Sequence, residues 1–211
     1  MNSRGWQFGK RAFDLFVVLL GLVVVAPVLI AIALLVKATS QGPVFYRGVR
    51  TGRHGKSFRI WKFRSMVADG EQRGGTTTGK NDPRITRVGS FLRKYKLDEL
   101  PQLFNVLAGE MSFVGPRPEV PEYTEAYTSE EQRILSVRPG ITDWSSIEFN
   151  DLQQHVGEDD PDRVFREQIL SLKNELRLKY VDEQSWGIDL AILAKTATVL
   201  AKKPFKRDRA A

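Results

Sequence analysis

The chain has 211 residues, long enough for one moderate domain with a core of its own. Lys and Arg number 32 against 25 Asp and Glu, a formal charge of +7 that suits an anionic partner such as nucleic acid, a phosphorylated substrate or an anionic lipid surface. There is no cysteine, and His54 and His155 are the only histidines, which excludes a disulfide framework and thiolate metal sites and argues against a histidine-rich one.

From Leu15 to Val36 the chain reads LFVVLLGLVVVAPVLIAIALLV, without a charge and long enough to span a bilayer. A buried soluble helix of that composition would need apolar partners on every side, more than a chain of this size supplies. A cleaved signal peptide fits poorly, because the run is long and Lys37 and Gly42-Pro43 follow it in place of an Ala-x-Ala pattern. Arg4, Lys10 and Arg11 precede the run, and Lys37, Arg47, Arg50 and Arg53 follow it. Basic flanks favour the cytoplasm, so both ends ask for the same side. Pro27, near the middle, cannot bond the Val23 carbonyl and bends the helix. The expectation is a re-entrant hairpin in one leaflet, with a kinked single span as the alternative.

Gly42 to Met66 alternates aromatic and basic residues between glycines. Phe58, Ile60 and Phe63, with Arg59, Lys62 and Arg64, predict a short strand or hairpin. Asp69 to Gly89 is rich in Gly, Thr and turn residues and reads as a mobile loop, either a lid or a plain connection. SFLRKYKLDEL (90–100) and PQLFNVL (101–107) have helical spacing, with Pro101 tolerated in a first turn. SEEQRILSV (129–137), DPDRVFREQILSLKNELRLKYV (160–181) and SWGIDLAILAKTATVLAKK (185–203) read as amphipathic helices. In the last, Trp186, Ile188, Leu190 and Leu193 offer an apolar face, and Lys195, Lys202, Lys203, Lys206 and Arg207 follow. That helix is expected either on an anionic membrane surface or packed on the core.

Asp98 and Glu99 are adjacent, so on a helix they point about 100° apart and serve different purposes. One can attack phosphorus or hold a metal while the other assists. Asp98 can equally cap the helix that begins near Pro101, and a helix start also binds phosphate. Arg117 stands between Pro116 and Pro118, which stiffen its backbone. It is either a rigid guanidinium for bidentate phosphate binding or part of a surface turn. Lys62 and Arg64 are further phosphate contacts or solvated strand residues. Asp82-Pro83-Arg84 is a turn first and a phosphate contact, through Arg84, second.

Six segments appear in one order: FDL (13–15), GPVFYR (42–47), WKFRSM (61–66), DPRITRVGSFLRK (82–94), LDELPQLFNVLAGEMSFVGPRPE (97–119) and RPGIT (138–142). With this ordered set the chain resembles the bacterial sugar transferase family, the monotopic polyprenyl-phosphate phosphoglycosyl transferases, from Lys10 to about Lys203. Its length resembles the minimal catalytic form, without the extra membrane spans of larger relatives.

The resemblance implies transfer of a phosphosugar from a UDP-sugar to a polyprenyl phosphate, usually undecaprenyl phosphate, with release of UMP. It implies Mg²⁺ as cofactor, Asp98 as the nucleophile of a covalent phosphosugar–aspartate intermediate, and Glu99 as its partner, both as candidate metal ligands. Arg117, Lys62, Arg64 and Arg84 are the candidate substrate-binding residues, and Pro27 marks the membrane re-entry. The location implied is the cytoplasmic leaflet of a bacterial inner membrane, with a homodimer among the partners considered and nucleic acid not expected. The expected fold is α+β and mainly helical. Residues 1–40 supply a basic N-terminus and re-entrant membrane helix hairpin, and residues 41–211 one small cytosolic catalytic domain with interfacial amphipathic helices. Two departures stand out. The re-entrant step is Ala26-Pro27 where family members carry Ser-Pro or a similar pair. The segment Gly140 to Asp151 reads GITDWSSIEFND, with Asp143 in place of a glycine and no arginine, which leaves the sugar preference open.

Two other functions compete. A membrane-anchored nucleic-acid-binding protein would use the basic charge and interleaved aromatics, but gives no reason for the Asp-Glu pair or the Pro-Arg-Pro turn. An inactive scaffold for glycan assembly would not keep the dyad and Arg117.

Overall fold

The uncharged run forms the middle of one helix, α1 (Arg4–Thr39), in the computed structural model, which describes residues 4–70 and 72–202. Val18, Leu22, Val25, Leu29, Ile32 and Val36 recur every three or four residues and form a single stripe along it. The first half of the stripe packs on Phe58, Ile60, Leu103, Val106 and Met111, and the second half on Phe63, Leu92, Val44 and Leu100. Phe16, Leu19, Val23, Val24, Ile30 and Leu34 are exposed on the rest of the helix. Only 11% of its most apolar window is buried, so α1 is not the enclosed core helix of a soluble domain. It is long and apolar enough to cross a membrane. Pro27 lies inside the helix, which continues through it as one element.

Two antiparallel strand pairs follow, as the alternation of aromatic and basic residues predicts. Strands β1 (Phe45–Tyr46), β2 (Val49–Thr51), β3 (Ser57–Arg59) and β4 (Lys62–Phe63) pair β2 with β3 and β1 with β4, placing Tyr46 opposite Lys62. Phe58, Ile60 and Phe63 are buried. Arg64 is buried as well, which removes the solvated-strand reading for it.

Among its described residues the Gly/Thr-rich segment has no helix or named strand until α2 (Arg87–Lys94), whose N-cap is Thr86, accepting from Gly89 N at 2.9 Å. The segment is tethered: Thr77 N donates to Asp162 Oδ1 at 2.6 Å, and Thr76 Oγ1 bonds Tyr123 Oη at 2.7 Å. The expected helical stretch after Ser90 breaks at Lys96, which takes a left-handed φ of 58°. A 3₁₀ turn (Leu97–Glu99) and then α3 (Gln102–Ala108) follow.

Strands β5 (Ser112–Val114) and β6 (Gly140–Thr142) pair in parallel, with Ser112 opposite Gly140 and Val114 opposite Thr142. Gly140 and Gly115 touch backbone to backbone; a Cβ on Gly140 would lie 2.1 Å from Gly115 N, so glycine is required there. Gly140 N donates to Pro116 O at 3.0 Å, which fixes the start of the Pro-Arg-Pro turn. Between the two strands lie α4 (Pro121–Thr124) and a 3₁₀ turn (Glu131–Ser136), shorter than the amphipathic helix expected there.

After β6 come α5 (Trp144–Glu148), α6 (Leu152–Val156), α7 (Pro161–Val164), a wider π turn (Phe165–Ile169), α8 (Leu170–Glu183) and α9 (Trp186–Lys202). The buried face of α8 is polar, made by Lys173, Asn174, Arg177 and Tyr180. On α9, Ile188, Ile192 and Leu193 pack against Val114, Ile147 and Tyr180, while Leu190 is exposed and Trp186 is partly exposed against Phe13. The expected apolar face of α9 is therefore divided between core and surface. Lys203, Lys206 and Arg207 of the expected basic tail lie outside the described residues.

Candidate active site

The left-handed Lys96 turns the chain so that Asp98 and Glu99 enter the interior on the 3₁₀ turn instead of starting α3. The N-cap of α3 is Pro101, with no side-chain cap bond, so Asp98 is not a capping residue. Asp98 is 5% exposed, and its Oδ1 is buried without a hydrogen-bond partner. A buried carboxylate oxygen left open costs free energy unless a ligand meets it.

Glu99 is held by two cations. Lys62 Nζ donates to its Oε1 at 3.1 Å, and Arg117 Nη2 donates to the same oxygen. Lys62 comes from β4, whose position against α3 is set by Asn105. That side chain accepts from Trp61 N at 2.8 Å and donates to Arg59 O at 3.0 Å. Arg117 is fixed at three further points. Its prolines restrict the backbone, its N–H donates to Asp143 Oδ2 at 3.0 Å, and its Nη1 donates to Ile141 O at 3.0 Å.

Asp143 is fully buried and also caps α5, accepting from Ser146 N at 2.7 Å. Behind it, Arg177 pairs with Glu119, which also takes Lys173 Nζ at 3.2 Å. The buried charges of α8 thus support the strand ends that carry Arg117.

The electrostatics separate the two acids. Burial, with the adjacent Glu99 charge, raises Asp98 above the ordinary carboxylate range. Burial would raise Glu99 too, but Arg117 and Lys62 outweigh it and hold Glu99 well below that range. Burial brings Lys62 down to about 8 despite the neighbouring Glu99. Burial also pushes Glu119 up, yet Lys173 and Arg177 bring it to about 2. Glu99 is therefore held as an anion, and the ionised form of Asp98 is disfavoured relative to it.

The structure joins Lys62, Glu99 and Arg117 by direct bonds and places Asp98 next to them. It engages the other two candidate cations elsewhere. Arg64 Nη2 donates to Ser40 O at 2.8 Å and Ser40 Oγ at 2.7 Å, tying strand β4 to the end of α1. Arg84 pairs with Asp82 and donates to Gly75 O at 2.9 Å, so it braces the tethered loop. Arg93 and Lys96 lie within electrostatic reach of Asp98. Lys96 is two residues from Asp98 in the chain, and Arg93 comes from the preceding helix α2. Asp143, Glu119, Lys173 and Arg177 were not readable as site supports, because each belongs to a separate segment.

The donor set can be tested against Mg²⁺. Among the described residues no group of three or more His, Cys, Asp or Glu forms a closed metal site. Mg²⁺ is commonly held by one or two carboxylates and completes its shell with water and substrate phosphate oxygens. The open Asp98 Oδ1 beside Glu99 fits that pattern. The aromatics that interleave with basic residues do not form a stacking platform: Phe58 and Phe63 are core residues, and the Arg47 guanidinium lies 3.5 Å over Trp61.

The model of the bacterial sugar transferase family matches residues 5–203. A UDP-glucose:undecaprenyl-phosphate glucose-1-phosphate transferase of Escherichia coli (strain K12) is 41% identical over 190 residues, covering 89% of this chain and 39% of that protein. An undecaprenyl-phosphate galactose phosphotransferase of Salmonella typhimurium (strain LT2) is 38% identical over 219 residues, 96% of this chain and 42% of that protein. A UDP-N-acetylgalactosamine-undecaprenyl-phosphate N-acetylgalactosaminephosphotransferase of Aeromonas hydrophila is 35% identical over 194 residues, 90% of this chain and 43% of that protein. The chain spans about two fifths of the length of these relatives.

Proposed function

The chain belongs to the bacterial sugar transferase family, and from that premise we propose that it moves a sugar phosphate from a UDP-sugar to undecaprenyl phosphate at the Lys62–Asp98–Glu99–Arg117 cluster. The observation that carries this reading is the buried Asp98 carboxylate with its open Oδ1, beside a glutamate fixed by two cations.

In the proposed reaction an Asp98 oxygen attacks the phosphorus that bears the sugar. A P–O bond forms, the bridging P–O bond breaks, and UMP leaves with the electron pair. A phosphate oxygen of undecaprenyl phosphate then attacks the same phosphorus, and Asp98 departs as a carboxylate. The product is an undecaprenyl-diphosphate sugar. Arg117 and Lys62 keep positive charge beside the phosphates, and Glu99 holds both cations in place. Asp98 and Glu99 would hold Mg²⁺, which when bound supplies charge neutralisation and polarises phosphoryl oxygens. Because Asp98 is raised by burial and by Glu99, added positive charge at the dyad favours its ionised, nucleophilic form.

The proposed location is the cytoplasmic leaflet of a bacterial inner membrane, with α1 entering and leaving on one side. Two observations support re-entry. Basic residues flank both ends of the apolar run. Both halves of the helix also rest on one domain: Arg11 Nη1 donates to Val106 O at 2.6 Å near one end, and Arg64 holds Ser40 at the other. The exposed face of α1, with Phe91, Phe104 and Leu107 of α2 and α3 also exposed, would meet the acyl chains.

The test is UMP release from UDP-glucose, UDP-galactose and UDP-N-acetylgalactosamine with undecaprenyl phosphate and Mg²⁺. Acceptor-dependent UMP from at least one donor is expected. A folded protein that releases none, yet binds generic DNA or RNA with strong salt dependence, would support the nucleic-acid reading instead.

A further inference from the structure

A second charged cavity lies at the start of α1. Its volume is about 30 Å³, and its walls include Trp6, Lys10, Asp14, Arg53 and Arg138. The two arginines come from segments far apart in sequence, and each is anchored by Nε to a backbone carbonyl. Arg53 Nε donates to Ser136 O at 3.0 Å and Arg138 Nε to Gly109 O at 3.1 Å. Anchoring through Nε leaves the terminal nitrogens for a ligand. Arg53 Nη2 reaches Gln7 Oε1 at 3.3 Å. Neither guanidinium meets a carboxylate among the described residues.

Of the two acids nearby, Asp189 is in an ion pair and Asp14, in the cavity wall, is held by a backbone N–H. Lys10 pairs with Asp189, which also accepts from Tyr180 Oη at 2.9 Å. Asp14 accepts from Phe113 N at 3.2 Å and lies within electrostatic reach of Lys10 and Arg11. That leaves Arg53 and Arg138 as an uncompensated pair. Burial and the Arg138 charge push Arg53 below its ordinary value, so the two guanidiniums are near enough to disfavour each other. Like charges held together at the wall of a cavity are the arrangement that an anion stabilises. No hydrogen bond or ion pair joins Lys10, Arg53 or Arg138 to Lys62, Asp98, Glu99 or Arg117 among the described residues.

We infer that this cavity binds a phosphate ester through Arg53 and Arg138, and that its occupant is the headgroup of an anionic membrane phospholipid. The position supports the lipid source. The wall is formed by the first turns of α1, immediately before the uncharged run begins at Leu15. Phe8, Trp186 and Leu190 are exposed on α1 and α9, the two helices joined by Lys10–Asp189 and by the Phe13–Trp186 contact. Aromatic residues at the end of a membrane helix mark the headgroup level.

The experiment uses the full chain in nanodiscs of equal phosphatidylglycerol and phosphatidylcholine, with retained lipid counted by native mass spectrometry after release. Wild type should retain phosphatidylglycerol over phosphatidylcholine by about tenfold, the scale of one charge-assisted contact. Arg53→Gln should abolish that preference, and Arg53→Lys should restore part of it. A second arm measures the melting temperature in detergent with inorganic phosphate. Phosphate stabilisation of wild type but not of Arg53→Gln, without lipid preference, would keep the anion site and overturn the lipid source. Equal retention of the two lipids together with no phosphate effect overturns the site, as does a folded Arg53→Gln that behaves like wild type. If Arg53→Gln misfolds, the wild-type lipid ratio and phosphate shift decide alone. No arm measures turnover, so the outcome is independent of the proposed transfer reaction.

Discussion

The backbone N–H of Arg117 donates to Asp143 Oδ2 at 3.0 Å, so the arginine of the Pro-Arg-Pro turn and the N-cap of α5 share one buried carboxylate. Ser145 Oγ adds a bond to the same oxygen at 2.8 Å, and Arg177 approaches it at 3.9 Å. The work of Asp143 is mechanical: it fixes the backbone from which Arg117 reaches Glu99. Replacing it with Ala should destabilise the protein by about 2–4 kcal/mol, from the lost cap and the stranded N–H. Asp143→Asn should cost less, since an amide oxygen can still cap. Denaturant midpoints for the two variants that both match wild type would remove Asp143 from this role.

Asp98→Asn should reduce turnover by about 10⁴-fold or more, because an amide does not attack phosphorus to give an acyl phosphate. With UDP-sugar labelled in its sugar and no acceptor, wild type should retain label on the protein and the variant none. Equal labelling of a folded Asn variant would show that another group is the nucleophile.

Lys62 supplies a pH dependence with opposite signs for activity and stability. Its folded value is about 8, below the ordinary 10.5, because burial disfavours the charged form. As pH rises through about 8 the free enzyme loses one of the two cations that hold Glu99, so kcat/KM should fall with an apparent pKa near 8. Between that value and the ordinary one, the unfolded chain binds the extra proton, so the Lys62 contribution to stability rises with pH. The comparison is with Lys62→Met: its kcat/KM should be low and lack the alkaline limb. An unchanged alkaline limb in that variant would assign the titration to another group.

The apolar run, the strand region around Phe58 to Phe63 and the main helices were legible because hydrophobic period and turn residues are local signals. Adjacency also predicts that Asp98 and Glu99 face different partners, and Lys62 and Arg117 bond Glu99 while Asp98 Oδ1 has none. What was not legible depends on partners distant in sequence. Arg64 and Arg84 carry the same charge as Arg117 in similarly marked motifs, yet Ser40 and Asp82 engage them. No local pattern shows which of the three arginines bonds Glu99. Helix α8 looked amphipathic in the ordinary sense, but its inward face is charged, because Glu119 waits opposite Lys173 and Arg177. The break at Lys96 escaped for a similar reason: lysine has no special taste for left-handed backbone, and tertiary packing around the dyad imposes it.

Arg117→Lys tests the geometry of the clamp. The guanidinium reaches Glu99 through Nη2 and Ile141 O through Nη1, and a single ammonium cannot reproduce both directions. A loss of about 10²-fold in kcat/KM is expected, with the fold intact by circular dichroism. Unchanged kinetics would mean that Arg117 serves the turn alone.

The last prediction concerns topology. Both halves of α1 pack on one domain, and both ends of its apolar run carry basic residues. A straight crossing would separate Arg4, Lys10 and Arg11 from the cytoplasm, against the orientation preference of basic residues. It would also have to pull the helix away from contacts made along its whole length, from Arg11 at Val106 O to Ser40 at Arg64. The absence of cysteine makes the test clean. Gly5→Cys and Ser57→Cys place single thiols at exposed positions before and after the run. With an impermeant thiol reagent on intact cells, re-entry predicts that both stay unlabelled until the cells are opened. Labelling at position 5 but not at position 57 would establish a crossing. Pro27→Ala restores the bond to the Val23 carbonyl and should move some molecules toward that crossing. No change at all in that variant would mean that packing of the Val18-to-Val36 stripe on the domain, and not the proline, holds both ends of the helix on one side.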